Sequence, residues 1–411
     1  EPVSGGRWRL RARRTSEAVS KIREGDRVLA SDGHPTRGTA ELATVEELGD
    51  EIVVTADEPL ELRRLDVYPS EIGVDRQLTA LHDAILRGDP DRKDVLFGRR
   101  DPSFSDGERT YIDNNAAQDE AVNLAVTAED FALVHGPPGT GKTYTLARTI
   151  RALVDRGERV LLSAFTNRAV DNAIEALEEQ GFTDIVRWGS ETGVREDIQE
   201  YRLERSGDPR ERAAVLRDAS VVAATTAACG SRVLKEQQFD AAVVDEAGQL
   251  TEPGTFLAAN LADRFVLVGD HQQLPPVVRA ENDLQESLFQ RLIEAYPEAG
   301  VMLDKQYRMG QRVQYFSSRE FYDGALRPAT GEVAAQRLDD LPGVSADALP
   351  SELRDPVSFV DPDGVADGNT NSIEADRVAE VVASFREAGV DPEDIGVIAP
   401  FRAQVAEISR R

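Results

Sequence analysis

Residues Gly136, Pro137, Pro138, Gly139, Thr140, Gly141, Lys142 and Thr143 read GPPGTGKT. Glycines in such a loop let backbone N–H groups wrap a phosphate chain. The lysine then reaches the β and γ groups, and the threonine hydroxyl reaches Mg²⁺. A second cluster, AAVVDEAGQ, closes an apolar run on Asp245 and Glu246. An aspartate at a strand tip beside phosphates holds Mg²⁺, usually through water, and a neighbouring glutamate orients and deprotonates the attacking water. Gln118, in NNAAQDEAV upstream of the loop, carries a donor and an acceptor and can pair two edge positions of adenine. Taken singly, paired carboxylates are common turn residues and a glutamine at a helix start is often a cap. With a phosphate loop in the same sheet, the three together spell ATP binding and hydrolysis.

These side chains need strands that deliver them to one edge. FALVHG, RVLLSAF, SVVAATTAA, FDAAVVDEAG, RFVLVGD, PVSFVDPDG and DIGVIAPF are short apolar runs without alternation, the pattern of strands covered on both faces. They predict a parallel α/β sheet flanked by helices, with ligands at the carboxyl ends of the strands. Upstream of about residue 70 the pattern alternates instead, in segments such as RWRLRARR and DEIVVTA, which predicts a small β-barrel. A period of two puts Arg7, Arg9, Arg11 and Arg13 on one face, either to follow a phosphate backbone or as a solvated edge. The expected division is a barrel over 1–70, a helical stalk over 71–107, a first ATP-binding lobe over 108–299 and the start of a second over 300–411.

Composition sets the outer bounds. The 411 residues are 40% hydrophobic and carry one cysteine, Cys229, so this chain alone builds neither a disulfide framework nor a cysteine-ligated cluster. No apolar run approaches the roughly 20 residues of a spanning helix, which predicts a cytoplasmic protein with no membrane partner. A start at Glu1 suggests a piece of a longer chain. The net charge of −27 would argue against a polyanionic partner, but lysine is confined to positions 21, 93, 142, 235 and 305 while arginine is abundant. Acid spread along a lysine-poor chain reads as solvation for a salt-rich cytoplasm, where a Debye length of about 3 Å at molar salt screens the repulsion.

Gln118, GPPGTGKT, SAFTNRAVDNA, VVDEAGQLTEP, FVLVGDHQQLPPVV, LDKQYRM and DIGVIAPFRAQV, in that order, resemble the successive motifs of a superfamily 1B helicase. The pattern of GDHQQLPP, SLFQRL and VRWGS is closer to the Okazaki-flap processing helicase-nuclease than to the nonsense-mediated-decay RNA helicase. The resemblance implies RecA-like P-loop NTPase lobes with ATP and Mg²⁺, and 5′ to 3′ movement on single-stranded nucleic acid, DNA before RNA, in replication or repair. It assigns γ-phosphate contact to Gln273, adenine stacking to Tyr307 and an arginine finger in cis to Arg308. It assigns backbone contacts on the strand to Thr166 and Asn167, and in the same way to Thr225 and Thr226, and it turns the loop of Pro275 and Pro276 towards the nucleic acid; capping of the following helices by these hydroxyls is the alternative and is compatible with contact. Phe165 is a weaker candidate for base stacking, and His271 is as well explained by packing at a strand end as by the phosphate network.

The family continues beyond DIGVIAPFRAQV with two further motifs, so these 411 residues are expected to bind nucleotide but to turn it over poorly. The alternatives are an RNA helicase of the decay type and an ATP-switched clamp that does not translocate.

Overall fold

The computed structural model describes residues 2–3, 7–13, 22, 27–34, 38–49, 51–67, 71–107, 109–204, 208–278, 282–362 and 367–411. Two compact units result, one formed by Glu1–Ile72 with Leu338–Arg411 and the other by Gly73–Arg337. In the first unit, strands β1 (Pro2–Val3), β2 (Arg7–Arg13), β3 (Arg27–Ser31), β4 (Ala40–Leu48), β5 (Glu51–Ala56) and β6 (Arg64–Val67) form one antiparallel sheet. Its order is β1-β2-β5-β4-β3-β6, and it is the curled sheet that stands where a small barrel was expected. Alternation buries Leu10, Val28, Ala30, Val45 and Val54 on one face. The opposite face of β2 is not a free phosphate track. Arg9 pairs with Glu46 at 2.7 Å and Arg11 with Glu51 at 3.2 Å, while the side chain of Arg7 lies outside the described residues.

The second unit is built on seven parallel strands: β7 (Phe131–His135), β8 (Val160–Ala164), β9 (Ile185–Trp188), β10 (Val221–Thr225), β11 (Phe239–Asp245), β12 (Ala262–Gly269) and β13 (Gly300–Met302). Their order is β13-β7-β12-β11-β8-β10-β9. One strand therefore lies between the phosphate-loop strand β7 and the acidic strand β11, the RecA-like arrangement. Every residue of β7 and β8 is buried, as the absence of alternation predicted. Helices α1 (Glu71–Leu86) and α2 (Pro90–Leu96) precede the sheet in the chain.

On one face of the sheet lie α3 (Ala116–Thr127), α4 (Lys142–Val154) and α5 (Asn167–Glu179). In α5 the buried positions Val170, Ala173, Ile174 and Leu177 follow helical spacing and form its inward stripe. The other face is closed by Glu252–Ala259 and Leu288–Ala295, whose Phe256, Leu257, Leu288 and Leu292 pack on Phe131 and Phe265. Burying side chains of this size is worth roughly 1.5–3 kcal/mol each, so the two cores set the strand tips rigidly.

Two expected strands are corrected. PVSFVDPDG and DIGVIAPF form no strand among the described residues, and Phe359 and Ile398 are 91% and 97% exposed. An apolar run becomes a strand only where neighbours take up its backbone groups, and none does so here. Conversely, β9 and β13 were not foreseen. β13 is only three residues long, and the apolar run of β9 is broken by Arg187.

Candidate nucleotide site and nucleic-acid interface

The phosphate loop leaves β7 and enters α4, so the first N–H groups of that helix face the loop's concavity. Two glycines are dictated by geometry. A Cβ on Gly136 would collide with the Lys142 side chain, and Gly141, the N-cap, has φ +79°. The loop is braced from several sides. Gly136 N–H donates to Gly269 O at 2.9 Å, which joins it to the tip of β12. Thr140 Oγ1 donates to Pro137 O at 2.7 Å. Gln118 Nε2 donates to Thr140 O at 2.9 Å. The buried Gln118 thus spends one of its two N–H donors on the loop, which leaves its Oε1 for a base.

Asp245 ends β11 beside this loop. Burial, and then the neighbouring Glu246 carboxylate, push its pKa up to about 6, with Lys142 and a 2.9 Å hydrogen bond from Glu246 N–H pulling the other way. A buried carboxylate with so little compensation is a fitting ligand for a cation. Glu246 itself adopts φ +53°, the left-handed region that non-glycine residues avoid, and Gln249 Nε2 donates to its Oε2 at 3.1 Å. Such strain persists only where surrounding contacts over-determine it.

The LDKQYRM segment docks on the same loop. Tyr307 N–H donates to Gly139 O at 2.8 Å, and Asn115 Nδ2 donates to the Tyr307 hydroxyl at 2.8 Å. Gln306 Oε1 accepts from the N–H groups of Arg308 and Met309 at 2.8 and 2.7 Å, which shapes the turn. Arg308 is exposed, and its Cβ lies only 2.7 Å from where a Cβ on Gly139 would sit. All the residues assigned to ATP, from Gln118 to Arg308, therefore fall in one compact unit.

At the tip of β12, Asp270 is 3% exposed and accepts from Gln273 Nε2 at 2.7 Å and from the Tyr322 hydroxyl at 2.8 Å. His135 Nε2 lies 3.0 Å from its other oxygen. Burial alone would raise the Asp270 pKa, but hydrogen bonds from His135, Gln273 and Tyr322 outweigh it and hold the value at about 2. Since this lies below the ordinary 3.8, the stabilisation is full above that pH and is lost as the pH falls towards 2. It is on the order of 2 kcal/mol. In urea titrations Asp270→Asn should be less stable than the parent at pH 7, and the gap should narrow from pH 5 to pH 3; a gap that does not change with pH would refute the linkage. His271, 4.7 Å from His135 between ring centroids, has a buried Nδ1 without a hydrogen bond and a pKa lowered first by burial.

Comparison with known proteins gives the family of the chain. An AAA domain family matches residues 113–213 and 205–281, and a second AAA domain family matches 284–411. The DNA replication ATP-dependent helicase/nuclease JHS1 of Arabidopsis thaliana is 36% identical over 310 residues, covering 72% of this chain and 23% of that protein. The DNA replication ATP-dependent helicase/nuclease DNA2 of Xenopus laevis is 34% identical, covering 72% and 31%. The DNA polymerase alpha-associated DNA helicase A of Schizosaccharomyces pombe is 32% identical, covering 76% and 57%. This chain belongs to the superfamily 1 helicases related to DNA2. It spans between 23% and 57% of the length of these three relatives.

In this helicase core the residues expected to touch nucleic acid fall into two groups. Thr166, Asn167 and Pro275 are exposed, and Thr225 is half-buried. The two threonine hydroxyls are engaged as helix caps, accepting from Ala169 N–H at 3.2 Å and from Ala228 N–H at 3.3 Å. Thr226 and Pro276 are buried, so the expected contact by their side chains is corrected: neither presents a side-chain surface to a strand. The exposed neighbours are instead Phe165, Leu274 and Val277, the last 91% exposed.

The helicase resemblance runs through VRWGS without assigning its Arg187 a role. This arginine is fully buried on β9. Its Nε donates to Asp171 at 2.9 Å, and its other nitrogens donate to Trp188 O and Asn167 Oδ1, each at 2.8 Å. Arg187 thus aims Asn167, and a charged residue inside an apolar run was the available signal. Arg187→Met should cost about 3–5 kcal/mol, because Asp171 is left buried without its counter-ion and keeps only the 3.0 Å bond from Arg195 N–H. Chemical denaturation measures it, and a loss below 1 kcal/mol would contradict the assignment.

Proposed function

We propose that this chain is the motor core of an ATP-dependent helicase that moves 5′ to 3′ on single-stranded DNA, in replication or repair. The observation that carries the reading is the seating of the Tyr307–Arg308 turn on the phosphate loop, through the 2.8 Å bond from Tyr307 N–H to Gly139 O. It ties the segment after β13, which bears the candidate finger, to the loop that also carries Lys142. Three relatives named for DNA support DNA over RNA.

In this reading Lys142 and the N–H groups of the loop bind the phosphates, Tyr307 stacks on the adenine and Gln118 holds the loop while offering Oε1 to the base. Glu246 orients the attacking water and takes its proton. Thr143 and Asp245 would hold Mg²⁺, which when bound neutralises charge on the β and γ phosphates. Arg308 stabilises charge on the transferring group. Gln273, a neutral amide, reports the γ-phosphate to the loop bearing Leu274, Pro275 and Val277, which faces the strand together with Asn167. Residues 108–299 act as the ATP-binding lobe and 300–411 as the start of its partner, with 1–70 and 71–107 as accessory elements. The setting is a salt-rich cytoplasm.

Tailed duplexes test it. In molar KCl the full natural chain should unwind a duplex with a 5′ single-stranded DNA tail and leave a 3′-tailed one paired. Unwinding from the 3′ tail, or only from an RNA tail, would overturn the polarity or the substrate.

A further inference from the structure

The buried carboxylate of Asp270 has more partners than its place at a strand tip explains. Its Oδ2 accepts both from Gln273 Nε2 at 2.7 Å and from the Tyr322 hydroxyl at 2.8 Å. Its Oδ1 accepts from Gln272 N–H at 3.0 Å and faces His135 Nε2 at 3.0 Å. With four partners the acceptor sites of a carboxylate are filled. His135, Asp270 and His271 have potential ligand atoms within 4.8 Å of one another, but a metal ion would have to displace bonds already made, so the geometry favours positioning over ligation.

Tyr322 comes from a different part of the unit. It caps the C-terminus of the helix Gln311–Phe321, donating its N–H to Ser318 O at 3.1 Å. Gln314 Nε2 and Ser318 Oγ fix that helix to Leu326 O at 2.6 and 2.7 Å. The opposite end of the helix begins two residues after Met309, next to Arg308 on the phosphate loop. Eleven helical residues make a rod about 16 Å long. One end of it follows the turn of the candidate finger by three residues, and the other is capped by a residue whose hydroxyl is bonded to the oxygen that also holds the candidate γ-phosphate sensor.

We propose that Tyr322 is a positioning residue which, through Oδ2 of Asp270, sets Gln273 for the terminal phosphate and so ties the placement of the sensor to that of the helix that follows the Arg308 turn. This rests on the ATP-site reading above. Tyr322 touches no nucleotide in this scheme. Its hydroxyl takes one lone pair of Oδ2 and thereby fixes where the Gln273 amide can lie. Without it the amide is free to swing on the same oxygen. The tyrosine ring has a separate packing role, 5.9 Å from the His135 ring between centroids, and phenylalanine preserves that role.

The test compares Tyr322→Phe with the unmodified full natural chain, measuring affinity for Mg·ADP and for Mg·AMP-PNP, which differ by the terminal phosphate. The unmodified protein should prefer AMP-PNP. Tyr322→Phe should lose roughly fivefold of that preference, as expected for one hydrogen bond, while ADP affinity stays within about twofold. Asp270→Asn should lose the preference as well, and adding Tyr322→Phe to it should change little, because both act through one contact. An unchanged preference in Tyr322→Phe overturns the proposal, and so does a parallel fall in affinity for both nucleotides, the mark of a merely structural tyrosine. An unmodified protein that binds ADP but shows no preference for AMP-PNP overturns the sensor, and this proposal with it. Failure to bind either nucleotide would instead overturn the ATP site itself.

Discussion

Replacing Glu246 with glutamine is expected to lower ATP turnover by about 10²–10⁴-fold, the range for removal of a general base, with nucleotide affinity nearly unchanged. The amide has the same size and can still accept from Gln249, which lies at 3.1 Å in the parent. It cannot take a proton from water. The backbone argues the same way. A glutamate held at φ +53° costs on the order of 1 kcal/mol relative to an ordinary conformation, and a structural turn would place glycine or asparagine there. Single-turnover hydrolysis, together with AMP-PNP binding, separates the step from affinity. Turnover within a few-fold of the parent would remove Glu246 from the chemistry.

Arg308→Ala should lower kcat further, by roughly 10³–10⁵-fold if the side chain acts as a finger in cis. The turn that presents it is held by Gln306, whose Oε1 accepts from Arg308 and Met309 N–H and whose Nε2 donates to Met309 O at 2.6 Å. Those bonds involve the backbone and survive the substitution. The fold should therefore be intact, with KM for ATP changing far less than kcat. Arg308→Lys should restore little, since a point charge does not reproduce the planar fork. Equal falls in kcat and in ATP affinity would mean that Arg308 serves binding in the ground state instead.

Much of this site is legible in the residues, because strands buried on both faces announce themselves and a phosphate loop has few other uses. Five of the seven central strands are visible as apolar runs, and their tips carry Gly136, Asp245 and Asp270 to one edge. What escapes notice is stabilised by partners distant in sequence. β9 is hidden because Arg187 interrupts it, and that arginine is tolerable only beside Asp171, sixteen residues away in the chain. Phe359 and Ile398 mislead in the opposite direction, since apolarity does not supply a neighbour to pair with. Pattern alone leaves open whether a hydroxyl meets a strand, caps its own helix or does both; Thr166 and Thr225 are caps, and Thr226 is buried. Tyr322 carries no local signal, and its meaning comes from Asp270, 52 residues upstream.

The most direct test of the central claim is ATP hydrolysis by the full natural chain in molar KCl, titrated with single-stranded DNA of increasing length, with Lys142→Ala as the blank. A translocating motor predicts stimulation that rises with strand length, because each binding event is followed by many steps, and no activity in the blank. Stimulation that saturates at the length of one binding site, or none with DNA of any length, would contradict it and leave a nucleotide-switched clamp in its place.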